Sequence, residues 1–223
     1  MNLERLDSSQ QFNLATRLDT YKVDALASIL SQACYKEPNI TYLIPDVEAR
    51  RILRPWLFVS VIRAGQLYGE ITQIEDGRGA AVWISPLYDV SLSQVVRAAL
   101  RSMPFAVERR IARVCMKMAA TVQDVRRRLA PIPHWYLIAL GAESRREKAI
   151  GERLIEPVLL RADSAGTPCY LETFTEEGLR FYESYGFRIA GAGRIPGGGP
   201  NFWALMRAPG EFGKWRCLLK SVP

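Results

Sequence analysis

The first part of the chain carries apolar residues at the spacing of an α-helix. In YKVDALASILSQAC, they recur every three or four residues, which places them on one face of an amphipathic helix. The residues on this face are Val23, Leu26, Leu30 and Ala33.

A second helix is predicted over DVEARRILRPWLFVSVIRAG. Asp46 can cap its start, and Gly65 is expected to end it. Pro55 is expected to bend or divide it, because proline removes a helical hydrogen bond. The preceding KEPNITYLIPD contains Pro38 and Pro45 and is predicted to be a loop.

Strand patterns follow. LYGEITQIEDGRGAAVWISP predicts a hairpin turning at Asp-Gly, and HWYLIALGA, residues 134–142, is almost continuously apolar, as in a strand buried on both faces. A helix from about 149 to 164, kinked at Pro157, then leads into a strand at CYLETF, a short helix over 175–186 and a final strand pair. We therefore predict one α/β (α+β) domain over 1–223, with a mixed, mostly antiparallel sheet flanked by helices.

The charge of the chain is concentrated in the segment 91–130, which is mostly helical in pattern with a break near Pro104. It contains nine basic residues against two acidic ones, a difference equal to the net charge of +7 of all 223 residues. Two hypotheses remain open: the segment attracts an anionic ligand or partner, or it is a solvated helical face. Nucleic acid is an unlikely partner, because exposed aromatic residues are not interleaved with the basic ones.

The remaining composition excludes several classes of protein. The longest apolar run, WLFVSVI, is too short to span a bilayer, and MNLERLDSSQQ is unlike a signal peptide. Four scattered cysteines and one histidine do not match a zinc framework, so no metal is expected. Free thiols and the absence of targeting signals predict a cytoplasmic protein without membrane attachment.

The sharpest local feature is the buried strand that runs through a short basic loop into a helix, ESRREKAIGERLIEP. The first turn of such a helix presents unpaired backbone N–H groups and partial positive charge, which suit a phosphate or pyrophosphate. Strand–loop–helix units are common, so an ordinary capped helix is the alternative.

The order of the later motifs makes the pattern more specific. GAAVWISP is followed by HWYLIALGAESRREKAIGERLIEPVLLRAD, then CYLETFTEEGLRFYESYGF and FWALMR. Over most of its length the chain here resembles the GNAT-type N-acetyltransferases. The resemblance implies acetyl-CoA, or another short acyl-CoA, as cofactor, and a small-molecule amine as substrate.

The resemblance also implies which residues hold the cofactor. The pantetheine arm would pair with the 134–142 strand at Leu140, Gly141 and Ala142, and Thr175 stands where an asparagine often contacts the cofactor. The pyrophosphate would lie over the loop and first helical turn, formed by Arg146, Glu147, Lys148, Ala149, Ile150, Gly151 and Glu152.

One position in this loop departs from the family pattern, which has glycine where this chain has Ala149. If the backbone there is left-handed, alanine costs about 1–2 kcal/mol. If the position is only crowded, alanine adds one methyl group near the pyrophosphate.

Three side chains are candidates for proton transfer. Tyr182 matches the family tyrosine that protonates the leaving thiolate, and a phenol is protonated at neutral pH. Glu172 is a charged residue in an apolar strand, which makes it a candidate base or substrate anchor, with a structural ion pair as the alternative. His134 titrates in the right range but begins its strand, and a base acting through water is also open. Tyr185 is expected to serve packing.

The leading hypothesis is therefore an acyl-CoA-dependent N-acyltransferase, most simply an N-acetyltransferase acting on a primary amine of a small molecule. The alternative is a catalytically weakened GNAT-like domain that binds acyl-CoA or an anionic partner as a regulator. Whether the chain forms a homo-oligomer is left open by the sequence.

Overall fold

The computed structural model describes residues 20–74, 78–102, 109–130, 133–142 and 147–210. The helices in these ranges are α1 Thr20–Ala33, α2 Pro38–Leu43, α3 Val47–Tyr68, α4 Leu92–Ser102, α5 Arg109–Leu129, α6 Glu147–Ser164 and α7 Glu176–Glu183. The strands are β1 Gly69–Gln73, β2 Gly79–Ile84, β3 Trp135–Ala142, β4 Cys169–Thr173, β5 Arg188–Arg194 and β6 Asn201–Arg207.

The six strands form one sheet in the order β1-β2-β3-β4-β6-β5. All neighbouring pairs are antiparallel except β3 and β4, which run parallel. This confirms the predicted α/β class with a mixed, mostly antiparallel sheet, and also the hairpin of β1 and β2. The Asp-Gly turn predicted between those two strands lies outside the described residues.

The central strand β3 has two irregularities that shape the molecule. Its parallel pairing with β4 ends at Leu137 opposite Leu171, although β3 continues to Ala142. Its antiparallel pairing with β2 shifts register so that Ile138 has no partner residue, which is a β-bulge. Beyond Leu137, β3 is therefore paired on the β2 side only.

Helices cover both faces of the sheet. Helix α6 buries Leu154, Ile155, Val158 and Leu159 against one face, and helices α1 to α5 cover the other. The amphipathic pattern predicted for α1 is confirmed, since Val23, Leu26 and Leu30 are buried. The near-continuous apolar sequence of β3 follows from this arrangement, because a central strand under two helical layers has no solvent-facing side.

Pro55 does not divide α3, and a bend at this position stays a prediction. This helix continues through Pro55, with Asp46 Oδ1 accepting a hydrogen bond from the backbone N–H of Ala49 (2.7 Å) as the predicted N-cap. The carbonyl that loses its helical partner through proline belongs to the exposed Arg51, where water can replace the bond. Gly65 does not end the helix, which runs on to Tyr68. Glycine suits this position because a Cβ atom there would lie 2.6 Å from Cγ1 of Val82 on the sheet.

One further expectation needs correction. The predicted loop before α3 contains the short helix α2, which begins at Pro38, a position where the missing N–H of proline costs nothing. Helix α6 runs from Glu147 to Ser164 with Pro157 inside it, and the kink at Pro157 stays a prediction. The expected break near Pro104 lies outside the described residues.

A buried ion pair joins α6 to β6. Arg207 has no exposed surface and forms two hydrogen bonds to the Asp163 carboxylate, at 2.7 and 2.8 Å. Its Nε donates to the carbonyl of Tyr185, and the backbone N–H of Gly210 donates to Asp163. The pair fixes the end of α6 relative to the strands that carry the site.

We expect Asp163→Ala to lower the free energy of unfolding by about 3–5 kcal/mol, because it removes the carboxylate that compensates a buried guanidinium. Urea denaturation measures the loss. The control is Glu48→Ala, which breaks an exposed pair with Arg51 and should leave stability unchanged. Equal stability of Asp163→Ala and the wild type would contradict this account of the pair.

Candidate active site

The divergence of β3 and β4 opens a groove between the two strands. Its floor is the free edge of β3 at Leu140, Gly141 and Ala142, and its walls come from α6 and from α7 with the residues that precede it. The groove has a volume of about 340 Å³. An extended ligand with amide groups can pair with this edge, because the backbone groups of β3 that point away from β2 meet no strand there.

Half of the twelve predicted cofactor residues meet at this groove. Leu140, Gly141, Ala142, Gly151, Thr175 and Tyr182 line it. In the first turns of α6, Ile150 is buried, Ala149 is exposed and Glu152 is half-buried. Glu147 and Lys148 belong to the first turn of α6 by their backbone. Arg146 and the rest of the basic loop lie outside the described residues.

Ala149 does not have a strained backbone. It is helical, and no residue other than glycine has a positive φ within the described ranges. The explanation based on a left-handed backbone is therefore wrong for this position. Alanine at 149 is an ordinary helical residue on the exposed side of α6.

Gly151 permits a close contact between α6 and α7. A Cβ atom at this position would lie 2.9 Å from Cζ of Phe181, which is closer than real contacts allow. Because Gly151 also lines the groove, a larger side chain would both displace Phe181 and narrow the space available to a ligand.

Thr175 serves as the N-cap of α7. Its hydroxyl oxygen accepts a hydrogen bond from the backbone N–H of Gly178 at 3.1 Å. Gly178 itself lies so close to Thr173 that a Cβ atom would come within 2.3 Å of Oγ1. The cap thus fixes the start of α7 against the end of β4 and leaves the hydroxyl hydrogen of Thr175 available to a ligand.

A second cavity, of about 220 Å³, lies on the other side of β3. It is enclosed by β3, by Glu172 and the residues after it, and by α2 to α5. The two spaces share four lining residues: Glu37, Leu140, Thr173 and Tyr182. We call the first space the cofactor groove and the second the acceptor cavity.

Tyr182 lies at the junction of these two spaces. Its ring is half-buried and makes edge-to-face contacts with Phe181 and Phe187, at centroid distances of 5.1 and 5.8 Å. Tyr185, three residues later, is buried at 4.9 Å from Phe181 and lines neither space, as expected of a packing residue. The two tyrosines of one short segment thus have different surroundings.

Glu172 places a carboxylate in the acceptor cavity. Tyr136 donates a hydrogen bond to Oε2 at 2.9 Å, whereas Oε1 is buried without a hydrogen-bonding partner among the described residues. Burial raises the pKa of Glu172 to about 7, against the opposing effects of the Tyr170 and Tyr136 hydroxyls and of Arg126. The Tyr170 hydroxyl lowers this pKa without reaching hydrogen-bond geometry. The structural ion pair considered for Glu172 is not present in the described part of the chain.

The positive charge of Arg126 favours the ionised form of this carboxylate and so lowers the pKa of Glu172. This role of Arg126 was not predicted from the sequence. Its guanidinium lies 4.6 Å from the centre of the Tyr136 ring and donates to the carbonyl of Val90 at 2.7 Å. Arg126 is buried, and its Nη2 is 3.6 Å from Oδ1 of Asp89. The sequence does indicate that Arg126 is buried, since it follows Met118 and Val122 at intervals of four residues on the buried face of α5.

The other basic residues of the 91–130 segment fit the hypothesis of a solvated helical face. Arg97, Arg101, Arg109, Arg110 and Arg127 are exposed, while the apolar face of α4 and α5 points to the acceptor cavity. Arg126, Arg127 and Arg128 are therefore not one exposed cluster. Whether the exposed residues attract a partner stays a prediction.

His134 lines neither space. It precedes β3, and its ring packs at 5.5 Å from that of Tyr170. No helix in the described ranges is long and apolar enough to cross a membrane. The same ranges contain no group of three or more His, Cys, Asp or Glu side chains placed to hold a metal ion.

Comparison with known proteins agrees with this geometry. No family model matches the chain. An uncharacterised N-acetyltransferase of Schizosaccharomyces pombe is 23% identical over 182 residues, which cover 78% of this chain and 73% of the relative.

Solved structures show the same fold. One is a Corynebacterium glutamicum structure described as histone acetyltransferase HPA2 and related acetyltransferase. It superposes with a TM-score of 0.57 at 18% identity, and the match covers 86% of this chain and 93% of that chain. A polyamine N-acetyltransferase of Drosophila melanogaster gives 0.55 at 17% identity, covering 86% and 97%. With the sequence relative, these matches confirm the predicted resemblance to the GNAT-type N-acetyltransferases.

We expect Gly151→Val to weaken CoA binding by about 10-fold or more, because the new side chain displaces Phe181 and fills the groove. Ala149→Gly should leave CoA affinity within about 2-fold and cost at most about 1 kcal/mol of stability, since the position is an ordinary helical one. Calorimetric titration with CoA measures both. Leu160→Val, on the exposed side of the same helix, is the control for a β-branched residue. Normal CoA affinity of a folded Gly151→Val protein would mean that the ligand does not occupy this groove.

Proposed function

We propose that this protein transfers an acetyl or other short acyl group from acyl-CoA to the primary amine of a small molecule. One observation carries the proposal: Tyr182, Leu140, Thr173 and Glu37 line the cofactor groove and the acceptor cavity alike. Two reactants, one in each space, would meet at these residues. The relative and the solved structures named above, which are acetyltransferases, support the same activity.

The cofactor groove fits the chemistry of a CoA thioester. The free edge of β3 offers backbone partners to the amides of a pantetheine arm, and Gly151 and Gly178 add no side chains of their own to the walls. The N-terminal turns of α6 and α7 supply backbone N–H groups for phosphate oxygens. Bound acetyl-CoA supplies a thioester whose acyl carbon accepts an amine.

Glu172 and Tyr182 are the residues we propose for proton transfer. Glu172 takes one proton from the primary ammonium, since a carboxylate with a pKa of about 7 is an effective base near neutral pH. The amine nitrogen bonds to the acyl carbon as the carbon–sulfur bond breaks, and Tyr182 gives its hydroxyl proton to the sulfur. The second proton of the nitrogen restores Tyr182, so the overall reaction releases one proton from Glu172 to solvent.

Backbone donors of β3 complete the proposed site. The bulge at Ile138 interrupts the regular pairing beside the acceptor cavity, and the strand beyond it has no β4 partner. Backbone N–H groups there are suited to stabilise the negative charge that develops on the acyl oxygen. The proposal places the reaction in the cytoplasm, where the free thiols of Cys34, Cys115 and Cys169 stay reduced.

The alternative, a weakened domain that binds acyl-CoA or an anionic partner as a regulator, rested on departures in the loop, of which Ala149 lies within the described residues. Its helical backbone carries no strain, so this departure gives little reason to expect impaired binding. A protein that binds CoA but acetylates no amine would favour this alternative.

We expect Tyr182→Phe to lower kcat by roughly 10²–10⁴ while leaving the dissociation constant of acetyl-CoA almost unchanged, because the hydroxyl acts in the transition state. Release of free thiol from acetyl-CoA with a panel of primary amines measures kcat, and calorimetry measures binding. Tyr185→Phe is the matched control, since it removes the hydroxyl of a buried tyrosine outside both spaces. If kcat of Tyr182→Phe equals that of the wild type, Tyr182 serves only as an aromatic anchor.

We also expect kcat/KM to rise with pH through about 7, because Glu172 must lose its proton before it can accept one. Tyr136→Phe removes a hydrogen bond that favours the carboxylate and should move this limb to higher pH. Glu172→Gln should abolish the limb and most of the activity. A limb near pH 7 that survives in Glu172→Gln would assign the base to another group.

A further inference from the structure

We propose that the acceptor is a primary amine with a single cationic end and a compact apolar body, rather than a diamine or polyamine. This inference rests on the proposed acyl transfer and adds the chemical class of the second substrate. It follows from the distribution of charge and from the size of the acceptor cavity.

The wall of the cavity opposite β3 and β4 is apolar. Helices α4 and α5 contribute Val95, Ala99, Cys115, Met118 and Val122, all buried. Burial raises the pKa of the Cys115 thiol to about 11, so this residue stays neutral. Among the described residues of α4 and α5, those that line this wall present methyl, methylene and neutral sulfur groups to a ligand.

Among the described residues, the charged side chains that line the cavity are Glu37 and Glu172. Glu37 also lines the cofactor groove, so it stands on the cofactor side of the cavity. Glu172 presents the buried oxygen Oε1, which has no hydrogen-bonding partner in the described ranges. A primary ammonium in the cavity would be attracted to the Glu172 carboxylate, and Tyr182 lines the same cavity where it joins the cofactor groove.

A second ammonium group on the same ligand would meet no carboxylate on the wall formed by the described residues of α4 and α5. Removing an ammonium from water without a compensating anion is strongly unfavourable. The buried guanidinium of Arg126, stacked behind Tyr136, adds positive charge on the cavity side of the sheet and opposes a second cation further. The cavity therefore selects against diamines by charge.

Size limits the apolar part of the ligand. The cavity has a volume of about 220 Å³. An apolar protein cavity of about 150 Å³ holds a benzene molecule. A phenyl ring or a short alkyl chain attached to the amine therefore fits, whereas a large polycationic sugar does not.

The test compares hexylamine with hexamethylenediamine, which have the same chain length and differ by one terminal amine. With wild-type protein and acetyl-CoA, we expect kcat/KM for hexylamine and for phenethylamine to exceed that for the diamine by about 100-fold or more. In the presence of CoA, hexylamine should also raise the Tm more than the diamine does at equal concentration. Equal or faster turnover of the diamine would overturn the inference.

A substitution in the cavity wall tests whether the amine binds in the acceptor cavity. Ala99→Leu fills part of the far wall, so the ratio of kcat/KM for hexylamine to that for ethylamine should fall by about 10-fold. Ala98→Leu, on the exposed side of the same helix, is the matched control and should keep the wild-type ratio. An unchanged ratio in a folded Ala99→Leu protein would place the amine elsewhere.

The outcomes separate this inference from the proposed function. Acetylation of diamines or polyamines in preference to monoamines would overturn the inference and leave acyl transfer intact. Failure to acetylate any amine in the panel, with CoA bound, would overturn both.

Discussion

The parting of β3 and β4 after Leu137 and Leu171 is the constraint on which the rest of the site depends. Parallel pairing up to that point holds the two strands in one sheet, and its loss exposes the backbone of β3 at the centre of the molecule. Unpaired backbone groups in a buried position are costly unless a ligand or water pairs with them. The fold thus contains a place where an extended ligand can complete the sheet.

A small number of residues shape the cofactor groove and the acceptor cavity and the junction between them. Gly151 lets α6 approach Phe181 of α7, and Gly178 lets the start of α7 approach Thr173 of β4, so that these elements form the walls of the cofactor groove. The cap at Thr175 sets the start of α7, and Tyr182 follows on that helix at the point where the acceptor cavity begins. On the other side, Tyr136 donates to one oxygen of Glu172, while the other oxygen is buried without a hydrogen-bonding partner among the described residues. The proposed acid, Tyr182, thereby lines both spaces where they join, and the proposed base, Glu172, lines the cavity.

The sequence predicted the fold well where hydrophobic periodicity dominates, and less well where packing decides. The order of helices and strands, the hairpin and the buried central strand followed from local patterns. The continuity of α3 through Pro55 and the place of Gly65 did not, because an exposed carbonyl and a close contact with Val82 are tertiary features. Tyr182 and Glu172 were found as a family match and as a charge in an apolar strand. Arg126 was assigned to a basic surface, because a run of three arginines conceals which of them faces the core.

Hydrogen–deuterium exchange with and without CoA tests the central claim most directly, because it reports on the β3 edge itself. The account predicts slower exchange of backbone amides within 138–142 and at the start of α6 when CoA binds, since amides that face the groove gain partners. The strand pair β5–β6 should not change and serves as an internal reference. Saturating CoA that leaves the exchange of 138–142 unchanged, while other segments become protected, would contradict the claim that the open edge of β3 is the cofactor site.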